Sequence, residues 1–243
     1  MWRLFVLAIV VSFTVLGCAA PQQRLGPPPN PVLSTRAPRT IAPIPAPEEV
    51  TPPPGPPRAG PQSLRGTTIV VDPGHGGRDP GALGRGPVPE KTINLNMGRL
   101  LADKLRQRGA NVVMTRSTDR FIELDDRAAL ADRTRADLFV SLHADSARRE
   151  SATGMSVYIR RNATAASRGV AQHIASALAR AGLDALGVKT AGYRVLVAHS
   201  RPAVLIECGY VSNRAEASRL ANNGYEDRLT EAIAEGIVAY FAR

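Results

Sequence analysis

From residue 66 onward, short runs rich in β-branched residues alternate with segments of helical periodicity. Residues 67–73 read TTIVVDP, a continuous apolar run that ends at Pro-Gly and is typical of a strand buried on both faces. Residues 90–108 carry Ile93, Met97 and Leu101 at helical spacing and stop before Gly109, as a helix does. This alternation predicts an α/β fold, a single three-layer αβα domain around a mostly parallel, twisted sheet.

The same patterns predict the remaining elements of a domain that spans residues 66–243. Further strands are expected at residues 111–116, 136–146, 154–161, 193–198 and 202–209. Helices are expected at residues 124–135 and 163–181, with one or two more between residues 216 and 243.

Residues 1–17 have the composition of an export signal. Arg3 precedes an apolar stretch from Leu4 to Leu16, which is short for a membrane span and ends in small residues. Residues 15–18 resemble a bacterial lipobox, which implies cleavage before Cys18 and acylation of that cysteine. Ala19 resembles the residue found in lipoproteins of an outer membrane. We therefore expect an exported, periplasmic chain with a lipid anchor; the alternatives are a plain signal peptide and an uncleaved anchor helix.

Between this signal and the domain lies a proline-rich segment. Fifteen of the 20 prolines fall between Pro21 and Pro61, and the segment lacks the apolar periodicity that a packed core requires. Proline-rich chains favour the extended polyproline II conformation at about 3 Å per residue. Residues 18–65 are therefore predicted to be a disordered tether, with Cys18 as its membrane anchor.

Composition and charge exclude several classes of protein. The only long apolar run is N-terminal, which excludes a polytopic membrane protein, and two cysteines are too few for a disulfide scaffold or a four-thiolate zinc site. The formal net charge is +10. For an exported chain, this charge favours an anionic cell-wall polymer as partner over nucleic acid.

Polar residues follow several predicted strands at the edge where ligands collect in parallel sheets. His75 follows the first strand, His143 ends the third, Glu207 ends the last, and Glu90 opens the first helix. Two imidazoles and two carboxylates at one edge match a hydrolytic zinc site. Two histidines and one glutamate would hold the ion and leave a position for water, and the second glutamate would take the water proton.

Several residues near this edge also have a purely structural interpretation. His75 could cap a glycine-rich loop, and Glu90 could be a favourable charge at a helix N-terminus. Asp72 could orient an imidazole or only shape the turn.

The remaining candidates outside the predicted site are less specific. His173, inside a helix, is expected at the surface or in the core. His199 lies in a loop before the last strand, where a substrate contact is an alternative. Cys208 is expected to be a buried thiol, and Asn213 to cap the following helix.

Four sequence blocks carry a resemblance to a known family. They are VVDPGHGGRDPGALG (70–84), the helix start at 90–95, SLHADS (141–146) and PAVLIECGYVSN (202–213). In this order they resemble the signature blocks of the zinc-dependent N-acetylmuramoyl-L-alanine amidases, the amidase type 3 family. The resemblance implies a peptidoglycan hydrolase that cleaves the amide between N-acetylmuramic acid and the L-alanine of the stem peptide. It also implies that His75, Glu90 and His143 bind Zn²⁺ and that Glu207 is catalytic.

Some members of the family insert a long helix between the blocks, which plugs the zinc site until a partner removes it. Here the interval between His143 and Glu207 is short, and the predicted elements fill it. We therefore expect a site that is open without an activator, in a monomer.

The alternatives to an amidase are a zinc peptidase or deacetylase acting on another wall bond and a wall-binding module without catalysis. A P-loop enzyme is disfavoured because PGHGGRDPG lacks the Gly-Lys-Ser/Thr ending.

Overall fold

The computed structural model describes residues 63–242, in which six strands and six helices are present. The strands are β1 (Thr68–Pro73), β2 (Asn111–Met114), β3 (Leu138–Asp145), β4 (Met155–Ile159), β5 (Ala185–Thr190) and β6 (Ala203–Tyr210). The helices are α1 (Glu90–Gln107), α2 (Leu124–Arg133), α3 (Ala165–Arg180), α4 (Arg194–Val197), α5 (Arg214–Leu220) and α6 (Asn223–Phe241).

All six strands form one sheet in the order β2-β1-β3-β6-β4-β5. Neighbouring strands are parallel except at the β4–β6 junction, where the pairing is antiparallel. The carboxyl ends of β1, β3 and β6 therefore meet at one edge of the sheet. The predicted α/β class with a mostly parallel sheet is confirmed.

Apolar side chains cover both faces of the sheet. The larger core lies between one face and α1, α3 and α6, and it contains Ile93, Met97 and Leu101, each at most 1% exposed. The smaller core lies under α2 and α4 on the other face and contains Phe139 and Leu205. The helical spacing predicted for α1 thus corresponds to its buried face.

The strand predicted at residues 193–198 is wrong. This segment contains the one-turn helix α4, and the strand next to β4 is instead β5 at residues 185–190. The apolar side chains of Val195 and Leu196 pack onto the face of the sheet and do not extend it. β5 gives a weak sequence signal because it is a half-exposed edge strand that contains Gly187 with a φ of 85°.

The C-terminal helices begin earlier than predicted. Asn213 caps α5, since its side chain accepts hydrogen bonds from the backbone N–H groups of Ala215 and Glu216. The predicted capping role is confirmed, whereas the helix begins at Arg214 and not at the predicted residue 216. A second capping asparagine, Asn222, separates α5 from α6.

The predicted signal peptide and nearly all of the predicted tether lie outside the described residues. Leu64, two residues before the predicted start of the domain, is fully buried in the larger core. In residues 63–242, no helix is both long enough and apolar enough to cross a membrane.

Candidate metal centre

Three of the four residues predicted for the metal site lie together at the carboxyl edge of the sheet. His75 follows β1, His143 lies near the end of β3, and Glu90 is the first residue of α1. One ligand atom from each side chain lies within 4.8 Å of the others. Oε1 of Glu90 is 3.2 Å from Nε2 of His75 and 3.3 Å from Nδ1 of His143. We call these three residues the triad.

Two glycines leave the space that the triad occupies. A Cβ at Gly74 would overlap the imidazole ring of His143, and a Cβ at Gly81 would lie 2.5 Å from Oε2 of Glu90. Gly81 also has a φ of 73°, a conformation that other residues rarely adopt. His75 itself has a φ of 59°, so the loop after β1 turns sharply at this residue.

A second carboxylate, that of Asp79, binds the His75 ring at the nitrogen that faces away from Glu90. Nδ1 of His75 donates a hydrogen bond to Oδ2 of Asp79 at 2.7 Å, which leaves Nε2 directed toward Glu90. Asp79 is fixed in turn because its Oδ1 accepts the backbone N–H of Gly81. Outer carboxylates of this kind commonly orient metal-binding histidines. The sequence interpretation missed Asp79, although its position four residues after His75 was visible.

Backbone N–H groups from two different loops fix the Glu90 carboxylate. Oε2 accepts the N–H of Ala82 at 2.7 Å, and Oε1 accepts the N–H of Ala144 at 3.0 Å. The amide of Asn94, one turn along α1, also donates to Oε1. The carboxylate is therefore held in one orientation, with Oε1 facing both imidazoles.

Hydrogen bonds and charges at the triad shift the pKa values of Glu90 and His75. Burial acts to raise the pKa of Glu90, but hydrogen bonds and the charges of His143 and His75 outweigh it and hold this pKa well below its ordinary value. Burial acts to lower the pKa of His75, but Glu90 and Asp79 raise it to about 9. A metal ion that binds here must displace the imidazole proton. Two imidazoles and one carboxylate fit a catalytic zinc site, which uses three protein ligands and one open position.

Glu207 lies beside the triad without belonging to its donor cluster. It lies in the buried part of β6, three residues before the strand ends, and pairs in register with His143. Its side chain is buried, and its Oε2 atom has no hydrogen-bond partner among residues 63–242. Burial, together with the charges of Asp145 and Glu90, raises the pKa of Glu207 well above its ordinary value. A buried, unpartnered carboxylate next to potential metal ligands is typical of a functional site.

Comparison with known proteins identifies the family. The family model described as N-acetylmuramoyl-L-alanine amidase matches residues 69–239, which include the triad and Glu207. The chain belongs to the N-acetylmuramoyl-L-alanine amidase family. The resemblance expected from the four sequence blocks is thereby confirmed.

Individual known proteins are similar to this chain over about three quarters of its length. The uncharacterized protein YqiI of Bacillus subtilis is 37% identical over 182 residues, which cover 74% of this chain and 87% of YqiI. The amidase LytC of the same organism is 38% identical over 178 residues, which cover 72% of this chain but 36% of LytC. The crystal structure of an N-acetylmuramoyl-L-alanine amidase from Clostridium difficile 630 superposes with a TM-score of 0.69 at 35% identity, covering 72% of this chain and 96% of that one.

Asp72 does not touch an imidazole, so the alternative in which it shapes the turn is the one observed. Its carboxylate accepts hydrogen bonds from Thr115, Ser141 and Arg127 at 2.7–2.8 Å. Arg127 also donates to the backbone carbonyls of Pro73 and His75. These contacts hold the loop that carries His75 in this amidase family member.

A second buried arginine holds the same loop from the side of α1. Arg116, which is fully buried, donates to the carbonyls of Pro73, Gly74 and Lys91. Sequence patterns had indicated neither Arg116 nor Arg127, because arginine is a common surface residue and neither stands in a recognisable motif.

The remaining candidates are structural in this fold. His173 lies partly buried in α3 and bonds to the carbonyl of Gly169 through Nδ1. His199 is 6% exposed, bonds to the carbonyl of Val195 and packs on Phe139. Its burial does not support the alternative of a substrate contact. Cys208 is fully buried and free, as predicted.

Proposed function

We propose that this chain is a zinc-dependent N-acetylmuramoyl-L-alanine amidase that acts on peptidoglycan. It would hydrolyse the amide between the lactyl group of N-acetylmuramic acid and the L-alanine of the stem peptide. The observation that carries the proposal is the triad with Glu207 beside it, in a chain of this family.

His75, Glu90 and His143 would hold the zinc ion. Bound zinc supplies a Lewis acid that lowers the pKa of water and polarises the scissile carbonyl. Asp79 keeps Nε2 of His75 directed at the site, and the backbone N–H groups on Glu90 keep its carboxylate in place. This rigidity means that little rearrangement is needed when the substrate amide arrives.

Glu207 would act as the proton carrier. Its carboxylate takes a proton from the attacking water and delivers it to the alanine nitrogen as the carbon–nitrogen bond breaks. The products are a carboxylate on the lactyl group and a free amine on the stem peptide. The unpartnered Oε2 and the raised pKa of Glu207 both suit a group that must gain and lose a proton near neutral pH.

Product analysis tests the reaction. Purified peptidoglycan is incubated with the chain, with and without a chelator, and the soluble products are analysed by mass spectrometry. We expect stem peptides with a free N-terminal L-alanine and bare glycan strands, and no release with the chelator. Peptides cut internally would indicate a zinc peptidase, and loss of acetyl groups would indicate a deacetylase; either result overturns the proposal.

A glutamine variant tests the role of Glu207. Glu207→Gln keeps the shape of the side chain but cannot accept the proton, so we expect retained zinc and nearly abolished turnover. Loss of zinc from this variant would instead make Glu207 a ligand.

We further propose that the chain is exported and attached to a membrane by lipid on Cys18, with residues 18–65 as tether. The periplasmic side of an outer membrane is the proposed location, and peptidoglycan, not nucleic acid, the partner. Labelled palmitate should be incorporated into the wild-type chain and not into Cys18→Ala. Incorporation into both would exclude this anchor.

The site is proposed to be open without an activator, in a monomer. The interval between His143 and Glu207 is occupied by β4, α3, β5 and α4 and their connections. We expect the purified chain to cleave peptidoglycan sacculi without a partner protein and to elute as a monomer. Activity that appears only after addition of a partner would contradict this expectation.

A further inference from the structure

An apolar groove begins at the triad and extends away from Glu90. It is a cavity of about 360 Å³ to which His75 and His143 contribute one end. The α2 side of the sheet supplies one wall and the segment around α4 supplies the other. We call this cavity the apolar groove; its hydrophobic lining consists of Phe121, Ile122, Leu124, Tyr193, Val195 and Leu205.

The charged side chains along the groove are already engaged within the protein. Asp72 binds Arg127, Asp79 binds His75, Glu123 binds Arg78, and Arg194 binds Asp125. The surface that the groove itself offers is mainly hydrocarbon. Leu124 is 53% exposed and Tyr193 is 37% exposed, although both are large hydrophobic side chains.

The walls of the groove are held in place by these same contacts. Arg78 bonds to Glu123 and lies over the ring of Phe121, with its guanidinium carbon 4.0 Å from the ring centroid. On the other side, Arg194 forms two hydrogen bonds with Asp125, which tie α4 to α2. The Tyr193 ring packs edge-on against Tyr158. The groove is thus a built feature of the fold, with its two walls tied to each other.

We propose that the apolar groove binds the alanine side of the scissile amide, and that Leu124 and Tyr193 contribute to recognition of the stem peptide. This inference rests on the proposed amidase function and specifies the orientation of its substrate. When the amide lies at the triad, the groups on its two sides must extend in different directions. One of them enters the groove.

The chemistry of the two sides decides which one enters. A sugar ring carries hydroxyl and acetamido groups that need hydrogen-bond partners, and desolvating them against hydrocarbon is unfavourable. An alanyl residue presents a methyl group, which gains free energy when it leaves water. The glycan is therefore assigned to the other side of the triad.

The test uses two soluble muropeptides that differ only in the first stem residue, L-alanine or glycine. The zinc-loaded full chain is compared with Leu124→Gln and with a matched control, Leu186→Gln. Leu186 is also a half-exposed leucine (45%), but it lies on β5 away from the groove. Zinc content is measured for each variant, and kcat and KM are determined with both muropeptides.

We expect the wild-type chain to prefer alanine over glycine by about tenfold in kcat/KM, the discrimination typical of one methyl group. Leu124→Gln should raise KM for the alanine muropeptide about fivefold, keep kcat within about twofold and reduce the preference. Leu186→Gln should match the wild type in zinc content, kcat and KM.

Three outcomes overturn the inference. If Leu124→Gln keeps the wild-type KM and preference, the groove does not bind the peptide, while the amidase function stands. If the wild type shows no preference and Leu124→Gln raises KM equally for both muropeptides, the groove binds the glycan side. If the wild type releases no peptide from either muropeptide, the amidase function itself fails and the inference falls with it.

Discussion

Replacing Arg127 by methionine is expected to destabilise the fold and weaken metal binding together. The guanidinium is 2% exposed and donates to Oδ1 of Asp72 and to the carbonyls of Pro73, His75 and Ile122, at 2.8–3.0 Å. It therefore connects the fully buried Asp72 carboxylate with the loop that carries His75 of the triad. Methionine has a similar length but offers none of these hydrogen bonds.

The size of the effect follows from the burial of Asp72. Removing one partner of a buried ion pair leaves an uncompensated charge, at a cost of about 3–5 kcal/mol. Thr115 and Ser141 still donate to the carboxylate and reduce this cost, so the lower end, about 3 kcal/mol, is expected for Arg127→Met. Displacement of an outer contact of a metal ligand typically lowers metal affinity by about 10- to 100-fold.

Urea unfolding and a competitive zinc titration measure the two effects. The matched control is the double variant Asp72→Asn/Arg127→Met, which removes the buried charge and should recover part of the lost stability. It should not recover the zinc affinity, because the carbonyl of His75 still lacks its donor and the carbonyl of Pro73 keeps only the bond from Arg116. A loss below about 1 kcal/mol with unchanged zinc affinity would refute the view that Arg127 holds the ligand loop.

Three further predictions concern other contacts. Gly74→Ala should lower the zinc affinity by at least about tenfold in a competitive titration, because a Cβ there overlaps the His143 ring. The control variant Gly192→Ala, whose Cβ would have no atom within 4 Å, should bind zinc normally. Asp79→Asn should lower zinc affinity by about tenfold in the same titration, because the amide is a weaker acceptor for Nδ1 of His75; an unchanged affinity would count against its orienting role. Burial raises the pKa of Glu226 from 4.5 to about 7, so between these pH values the folded chain retains a proton that the unfolded chain releases. The free energy of unfolding should therefore fall by up to about 3 kcal/mol as the pH rises from 4.5 to 7. Glu226→Gln should reduce this fall, measured as the difference in Tm between pH 5 and pH 8; an equal fall in both proteins would show that Glu226 does not cause it.

The parts of the fold that could be predicted are those with strong local patterns. β1, β3 and β6 are buried on both faces and give continuous apolar runs, and α1 buries one regular stripe. β5 and α4 could not be predicted correctly because their roles depend on tertiary position. β5 lies half-exposed at the sheet edge, and the short apolar run in α4 covers the face of the sheet.

The clustering of the predicted site residues could be anticipated because topology brings the carboxyl ends of parallel strands together. His143 and Glu207 lie near the ends of β3 and β6, which are neighbours in register, and His75 follows the adjacent strand β1. The residues that hold the triad in place could not be predicted in this way. Arg116 and Arg127 reach the loop after β1 from segments far away in sequence, and no local pattern specifies such contacts.

Two aspartates, Asp72 and Asp79, lie close to His75 in the sequence, and the sequence alone does not decide which of them orients the imidazole ring. Both carboxylates lie within four residues of His75, and both had the chemistry to orient its ring. Asp72 lies within β1, in register with Ser141, and its side chain bonds to Thr115, Ser141 and Arg127. Asp79 reaches Nδ1 of His75 because His75 adopts a left-handed backbone conformation, which turns the chain. Paired backbone hydrogen bonds between Gly76 and Asp79 then close the loop. The backbone conformation of His75 therefore decides which aspartate orients its imidazole.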